Sequence, residues 1–167
     1  AENTLEISFD EMSHDVHQYT YRVLHCSRDW TESDISSYEY VDGFTTADIV
    51  EYEHSMNTQQ AYTHYSFTFP NEDMQLKASG NYVVQIYEDG DQEQVVAEVC
   101  LRVVEPIVGI DMNVRANTDI ELNGRYQQLD IDVQTKALNL RDVGEVKVVV
   151  EQNGRWDNQV VLEKPTF

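Results

Sequence analysis

Apolar and polar residues alternate with a period of two along most of this chain, as in strands that bury one face. Near the start, Leu5, Ile7 and Phe9 alternate with polar residues, and residues 19–26 follow the same pattern. Further stretches of this kind are residues 49–55, 62–69, 83–87 and 95–104. The segment 27–46 between them is polar and irregular. Short strands joined by turns and loops are typical of a β-sandwich, so the pattern predicts an all-β fold.

A Gly-x-Tyr step at residues 80–82 leads into the strand at 83–87. Such a step resembles the tyrosine corner of immunoglobulin-like sandwiches, in which the phenol hydroxyl bonds the preceding backbone. We therefore expect the Tyr82 hydroxyl to bond a backbone group within residues 76–79. The dipeptide Asp89-Gly90 then favours a tight hairpin before the last strand. These features predict an immunoglobulin-like β-sandwich over residues 1–104.

A domain boundary is predicted at Glu105-Pro106, because proline restricts the residue before it to extended conformations and cannot donate to a sheet. Beyond the boundary, strands are predicted at residues 107–114, 127–135, 145–152 and 159–163, with a hairpin turn at Asn153-Gly154. Four strands in about 60 residues bury too little surface for a stable sandwich. We therefore expect a second β module, residues 105–167, which is incomplete here and continues in a longer native chain.

The amino-acid composition gives the chain a strong negative charge. The formal net charge is −20, from 11 Lys and Arg against 31 Asp and Glu. Nucleic-acid binding depends on Lys and Arg that displace counterions from phosphates, so nucleic acid is excluded as a partner. An anionic membrane surface would repel the chain in the same way. No stretch approaches the roughly 20 apolar residues of a membrane span, so no direct span is expected.

Catalytic and cofactor motifs are absent from the sequence. There is no Gly-x-Gly-x-x-Gly, no phosphate loop and no Gly-x-Ser-x-Gly elbow. His25 and Cys26 are adjacent, so on a strand their side chains point to opposite faces and form no thiolate–imidazole pair. We expect a non-enzymatic protein with no catalytic residues and no cofactor.

The acidic segment 88–93 and the five histidines are the candidates for metal binding. A helical calcium loop needs glycine at its sixth position, where counting from Asp89 gives Gln94. The histidines show no zinc spacing. A solvated hairpin tip and surface histidines are the favoured interpretations, so no metal site is predicted.

The two cysteines, Cys26 and Cys100, are predicted to be unpaired. The alternate residues from Val95 to Val103 form an apolar face, which places Cys100 on the opposite face of its strand. A disulfide across the core would require both sulfurs to point inward.

Aromatic side chains are the remaining candidates for function. Four of them lie in the irregular segment after the second strand, and a fifth follows the Asn153-Gly154 turn; they are Trp30, Tyr38, Tyr40, Phe44 and Trp156. Aromatic residues on a loop can stack on sugars or anchor a protein interface. They can equally pack the loop onto the sandwich. The sequence leaves these three interpretations open.

Several short segments, taken in order, resemble the N-terminal half of the type IX secretion system plug proteins of Bacteroidetes, long catalogued as a domain of unknown function. The segments are residues 25–31, 40–44, 62–66, 69–73, 79–82, 87–91 and 152–156. The resemblance implies an exported protein of the periplasm or outer membrane that closes an outer-membrane translocon when no substrate passes. It also implies a β-sandwich-like fold without catalysis or cofactor.

The sequence therefore supports two alternative functions. The first is a non-catalytic extracytoplasmic protein whose partner is an outer-membrane β-barrel translocon or an associated surface protein. The alternative is a carbohydrate-binding β-sandwich module of a surface glycan system, suggested by the loop aromatics.

Overall fold

The structure is a computed structural model that describes residues 4–116, 118–119 and 125–163, except for the side chains of Val143 and Trp156. Strands dominate the described residues, so the prediction of an all-β protein is confirmed. The chain divides into two compact units, Ala1–Glu105 (the first unit) and Pro106–Phe167 (the second unit). The predicted domains, an immunoglobulin-like sandwich over residues 1–104 and a second β module over residues 105–167 that continues in a longer chain, stay predictions.

The first unit contains nine strands and one single-turn helix among its described residues. Their bounds are β1 Leu5–Glu11, β2 Tyr19–Cys26, α1 Ser37–Tyr40, β3 Val41–Gly43, β4 Thr46–Ile49, β5 Glu51–His54, β6 Thr63–Phe69, β7 Met74–Leu76, β8 Gly80–Glu88 and β9 Val95–Val103.

Two antiparallel sheets enclose the core of the first unit. One has three strands in the order β1-β6-β5, and the other has four in the order β4-β2-β8-β9. A small pair, β3-β7, lies apart from both sheets. The alternating pattern explains the arrangement, since inward residues of both sheets form one hydrophobic cluster while the residues between them face outward. The specifically immunoglobulin-like character of this arrangement stays a prediction.

Tyrosines make up an unusual share of this core. Tyr21, Tyr65 and Tyr82 are each at most 1% exposed. The rings pack closely, with Tyr21 stacked on Phe67 at a centroid distance of 4.2 Å. A buried phenol needs a hydrogen-bond partner. The Tyr65 hydroxyl accepts from the backbone N–H of His17 at 2.9 Å, and the Tyr21 hydroxyl accepts from Asn71 Nδ2 at 3.0 Å.

Tyr82 combines full burial with a local backbone bond. Its hydroxyl donates to the carbonyl oxygen of Ala78 at 2.7 Å, within the upstream segment that the sequence pattern indicated. The chain can turn there because Gly80 has a φ of +147°. A Cβ at Gly80 would collide with the imidazole of His25, so glycine is required for both space and conformation.

Two details of the predicted strands are wrong. The segment predicted as one strand at 49–55 is divided into β4 and β5, which belong to different sheets. The chain crosses between the sheets at Val50, which is 77% exposed. The segment predicted as irregular contains α1 and β3. A period-two pattern cannot reveal a change of sheet, and elements of three or four residues are too short to show a period.

Both cysteines are free, as the sequence predicted. Cys26 is buried and Cys100 is exposed. Register places Cys26 opposite Asn81 and Cys100 opposite Val83, both of which lie on β8. The cysteines thus lie on β2 and β9, which flank β8, about two strand spacings or ~10 Å apart. That separation exceeds the Cα distance of a disulfide, which is usually below ~7 Å.

The second unit consists of two separate antiparallel hairpins among its described residues. They are β10 Gly109–Arg115 with β11 Gln128–Gln134, and β12 Val148–Gln152 with β13 Arg155–Leu162; single 3-10 turns lie at Thr135–Ala137 and Val143–Glu145. One face of the first hairpin carries the apolar pairs Ile110–Val133, Met112–Ile131 and Val114–Leu129. No residue described in this unit is buried.

Candidate interaction site

The loop after β2 places Trp30 against the outer face of the four-stranded sheet. The loop reverses tightly, with Trp30 at a φ of +66° and its N–H donating to the Ser27 carbonyl at 3.0 Å. Asn81 Nδ2 fixes the loop by donating to that same Ser27 carbonyl at 3.1 Å. The guanidinium of Arg102 lies 5.6 Å from the centre of the indole ring. Trp30 is therefore half-buried and has one face occupied by a cation.

Tyr40 is a core residue, which corrects its proposed role as a surface aromatic. Only 6% of the residue is exposed, and its ring contacts those of His25 and Tyr82. The backbone explains this position, since the Tyr40 carbonyl accepts from the N–H of Lys77 at 2.9 Å and fixes the end of α1. The sequence could not distinguish this burial, because a single-turn helix shows no amphipathic period.

Tyr38 and Phe44 are the two loop aromatics on the surface. Tyr38 is 82% exposed and Phe44 is 69% exposed. Both have a fixed backbone, since the Tyr38 carbonyl accepts from Lys77 Nζ at 2.7 Å and the Phe44 N–H donates to Asp73 O at 2.9 Å. No ring contact joins them within the described residues. Two exposed aromatics on a fixed backbone are suited to anchor a partner.

Trp156 lies on β13, and its side chain is outside the described part of the chain. Its proposed role as an interaction aromatic therefore stays a prediction.

Histidines and carboxylates meet where β1 ends and β6 begins, a grouping that the sequence did not indicate. His17 Nδ1 lies 2.5 Å from Glu11 Oε1 and 3.5 Å from Glu88 Oε1. His64 Nδ1 lies 2.6 Å from Asp10 Oδ1 on the neighbouring strand. Asp10 and His64 are 54 residues apart along the chain, and the strand register brings them together.

Burial and nearby carboxylates keep the core tyrosines protonated. The pKa of Tyr19 is raised by burial and then by the negative charges of Glu11 and Glu88. Burial raises the pKa of Tyr82 to about 12. A phenol with a raised pKa donates hydrogen bonds and does not serve as a base near neutral pH. The Tyr82 hydroxyl is such a donor, since it bonds the carbonyl oxygen of Ala78.

The sequence predicts no metal site for the acidic and histidine side chains. Within the described residues, no group of three His, Cys, Asp or Glu side chains is arranged to hold a metal ion. The acidic tip at 88–93 forms a local turn instead, in which the Glu93 N–H donates to Asp91 Oδ1 at 3.0 Å. No helix in the described ranges is long and apolar enough to cross a membrane.

The described residues of the second unit line open surface grooves, two of which lie along the first hairpin. One has a volume of about 450 Å³ and runs along the ends of the first hairpin, from Ile107 to residues 132–137. The other, of about 360 Å³, lies between the cross-strand residues Met112 and Ile131 and their neighbours. The smaller groove is also lined by Asp111, Asp130 and Asp132; Asp130 pairs with Arg115, and Asp111 accepts a hydrogen bond from Gln134 Nε2.

Comparison with known proteins identifies a matching family and a similar solved structure. A family model described as the type 9 secretion system plug protein 1st domain matches residues 1–105. A crystal structure of a hypothetical protein from Parabacteroides merdae ATCC 43184 has a TM-score of 0.87 and 36% sequence identity to the chain. That match covers 96% of this chain and 41% of the other, so the chain spans less than half the length of that protein. No curated protein matches the chain.

Proposed function

We propose, from the premise that this chain belongs to the type 9 secretion system plug family, that it is a non-catalytic extracytoplasmic protein that docks on the outer-membrane translocon. The family membership confirms the resemblance drawn from the sequence motifs. It is also the single observation that carries the proposal, because it ties the chain to secretion machinery rather than to a known class of enzyme. The plug role itself, closure of the idle translocon, is part of the proposal.

The surface of the first unit supports a binding role. Residues 1–105 contain 21 Asp and Glu against four Lys and Arg, a net charge of −17. Such a surface steers encounters with a positively charged partner and repels other anionic surfaces. Tyr38 and Phe44 add apolar area at fixed positions on this surface. A charged surface that attracts the partner and aromatic side chains that anchor it both contribute to a specific protein interface.

The proposed partner is an outer-membrane β-barrel translocon or an associated surface protein, and the proposed location is the periplasm or the outer membrane. The test is affinity purification of the full-length protein from its host membrane. We expect an outer-membrane partner to be recovered with it. Recovery of no outer-membrane protein above background would overturn the docking proposal.

A matched pair of variants makes this test specific to the aromatics. Tyr38→Ser with Phe44→Ser removes both exposed rings and should reduce recovery of the partner. Val50→Ser with Met56→Ser changes two equally exposed apolar residues, at 77% and 83% exposure, away from α1 and β3. This control should leave recovery unchanged. Equal recovery with both pairs would show that Tyr38 and Phe44 do not anchor the partner.

The carbohydrate-binding alternative has less support. Tyr38 and Phe44 favour it, since exposed rings can stack on sugars. However, Tyr40 is buried and one face of Trp30 is occupied by Arg102. Two of the aromatics that motivated the alternative are therefore not free to form a sugar platform. Binding on a glycan array that is lost in the Tyr38→Ser, Phe44→Ser variant would favour this alternative over translocon docking.

A further inference from the structure

One sheet of the first unit has three strands and the other has four. The three-stranded sheet therefore lacks a strand on one side of the unit. Since β4 and β5 are joined through Val50 alone, the chain itself closes the side on which these two strands lie. The opposite edges are β1 in the three-stranded sheet and β9 in the four-stranded sheet. Within the described residues, no strand pairs with the outer edge of β1 or with the outer edge of β9. Ring stacking of Tyr21 on Phe67 sets β2 against β6, so β1 lies over β8 and no strand lies over β9.

Burial confirms that this side of the core is uncovered. The inward residues of β8, Tyr82, Val84 and Ile86, are at most 1% exposed. The inward residues of β9 are only half-buried although they pack against the same cluster; they are Ala97, Val99, Leu101 and Val103. Leu5, on the inward face of β1, is 49% exposed. A fourth strand beside β1 would cover these side chains.

The two free edges are also long and without the usual protection. β1 has seven residues and β9 has nine, whereas β4 and β5 have four each. Natural proteins protect edges by shortening them or by placing proline or an inward charge on them. Neither β1 nor β9 contains proline, and the one inward charge on β1, Glu11, lies at its far end beside His17, whereas Leu5 and Ile7 and the inward residues of β9 are apolar. A long, regular edge with unpaired N–H and C=O groups is the structure to which extended peptides add.

We infer that the free edge of β1 accepts an extended segment donated by a partner protein, which completes the three-stranded sheet and packs over β9. This inference deepens the proposed interaction function and rests on it, since it names the surface that a partner would bind. The segment has apolar residues at alternate positions, which face Leu101 and Val103. Its other positions carry Lys or Arg, because the outward face of β1 presents Glu6 and Asp10.

Charge argues against a second copy of the chain as the occupant. Pairing β1 with β1 would bring Glu6 and Asp10 of one copy beside the same residues of the other. Like charges on neighbouring strands are destabilising. Each first unit also carries a net charge of −17, so two copies repel at a distance as well.

Two synthetic nine-residue peptides test the inference on the 167-residue chain. One alternates Val and Lys, and the other has the same composition with the Val and Lys residues in separate blocks. Both have the same charge, so any general attraction to the acidic surface is equal. We expect the alternating peptide to bind about tenfold or more tightly, because only it has one apolar face along an edge. Hydrogen exchange should slow at the amides of β1.

Matched variants locate the site. Leu5→Lys places an inward charge on the edge strand and should weaken binding of the alternating peptide by about tenfold. Val50→Lys adds the same charge at the closed side and should leave binding unchanged. Because Leu5→Lys could impair folding, its circular dichroism and melting temperature are compared with those of the parent. N-methylation of alternate amides in the peptide then provides a second test on the unchanged protein, since it removes the donors and should abolish binding.

Several results would overturn the inference. Equal binding of the two peptides would mean that charge alone attracts them. Protection from exchange outside β1, or unchanged affinity of the N-methylated peptide, would exclude strand addition. A concentration-dependent dimer that Leu5→Lys dissolves would show that the occupant is a second copy.

This test and the test of the proposed function can fail separately. If the alternating peptide binds β1 but no outer-membrane partner is recovered, the acceptor edge stands and the docking proposal falls. If the partner is recovered equally with the parent and with Leu5→Lys, docking stands and uses another surface.

Discussion

The two units follow the same alternating pattern, yet among the residues that the structure describes only those of the first form a buried core. In the first unit, two sheets face each other, and side chains such as Val23, Tyr65 and Val84 have no exposed area. In the described part of the second unit, each hairpin pairs only with itself, and Met112 on its apolar face is 61% exposed. Isolated two-stranded hairpins are marginally stable in water. Alternation therefore selects strands, but stability depends on a second layer that covers them.

Charge separates the two units as well. The first carries −17 in 105 residues, while residues 106–167 contain ten Asp and Glu against seven Lys and Arg, a net charge of −3. In the second unit, some of the described carboxylates are paired with arginines, as in Arg115 with Asp130 at 2.9 Å. The unit with the strong core thus tolerates the greater self-repulsion. Four predictions test this contrast between the two units, with expected effects on stability that decrease from the first to the last.

The largest effect is expected from truncation of a core ring. Tyr82→Ala should lower the free energy of unfolding by roughly 3–5 kcal/mol, as for other buried aromatic truncations. Met112→Ala, on the open face of the second unit, should change it by less than about 0.5 kcal/mol, as for exposed sites. Urea denaturation followed by fluorescence measures both. If Met112→Ala cost as much as Tyr82→Ala, the second unit would have a covered core in solution.

Alkaline pH should destabilise the first unit through its buried tyrosines. Burial raises the pKa of Tyr82 from 10.0 to about 12, while the unfolded chain keeps the ordinary value. Folding therefore favours the neutral phenol, and this stability is complete below about pH 10 and is lost as pH rises toward 12. The loss is on the order of 2–3 kcal/mol at 1.36 kcal/mol for each pKa unit. Melting temperatures between pH 9 and 12 measure it.

Tyr82→Phe provides the control for the alkaline loss. It removes the ionisable group, so the decline with pH should become shallower. An unchanged decline in that variant would assign the effect to other tyrosines. The second unit should behave in the opposite direction, since the pKa of Asp157 is lowered by its hydrogen bonds with Arg155. Any stability from that pair is present above the ordinary carboxylate pKa and is lost as pH falls through the lowered value.

At neutral pH, Tyr82→Phe should have a moderate effect. The substitution keeps the ring in the core and removes the 2.7 Å bond to Ala78 O. The expected loss is roughly 0.5–1.5 kcal/mol, the net contribution of one hydrogen bond. Differential scanning calorimetry at pH 7 measures it, with Tyr38→Phe as the exposed control. A Tyr82→Phe variant as stable as the parent would show that the bond contributes nothing to the corner.

Salt should give the smallest effect. Mutual repulsion among the carboxylates of the first unit weakens as the Debye length falls to ~10 Å at 0.1 M ionic strength. The melting temperature of the chain should therefore rise between low and physiological ionic strength. A melting temperature independent of salt would indicate that the carboxylates are dispersed widely enough not to repel.

Much of the first unit was determined by the sequence alone. Alternation placed β1 and β2, because a strand with one buried face needs an apolar residue at every second position. The Gly80 to Tyr82 step indicated the corner, since only glycine allows that turn beside His25. Proline at 106 marked the boundary between the units because it cannot continue a ladder.

Other features depend on contacts between residues distant along the chain, and only the tertiary structure decided them. Tyr40 and Tyr38 lie two residues apart in α1, yet Tyr40 is 6% exposed and Tyr38 is 82% exposed. Nothing in their local pattern separates them, because the difference arises from Tyr82 and His25 packing on one side of a single turn. The uncovered side between β1 and β9 is likewise a property of sheet order. The sequence shows which positions alternate between apolar and polar residues, but the pairing of strands determines which sheet edges remain free.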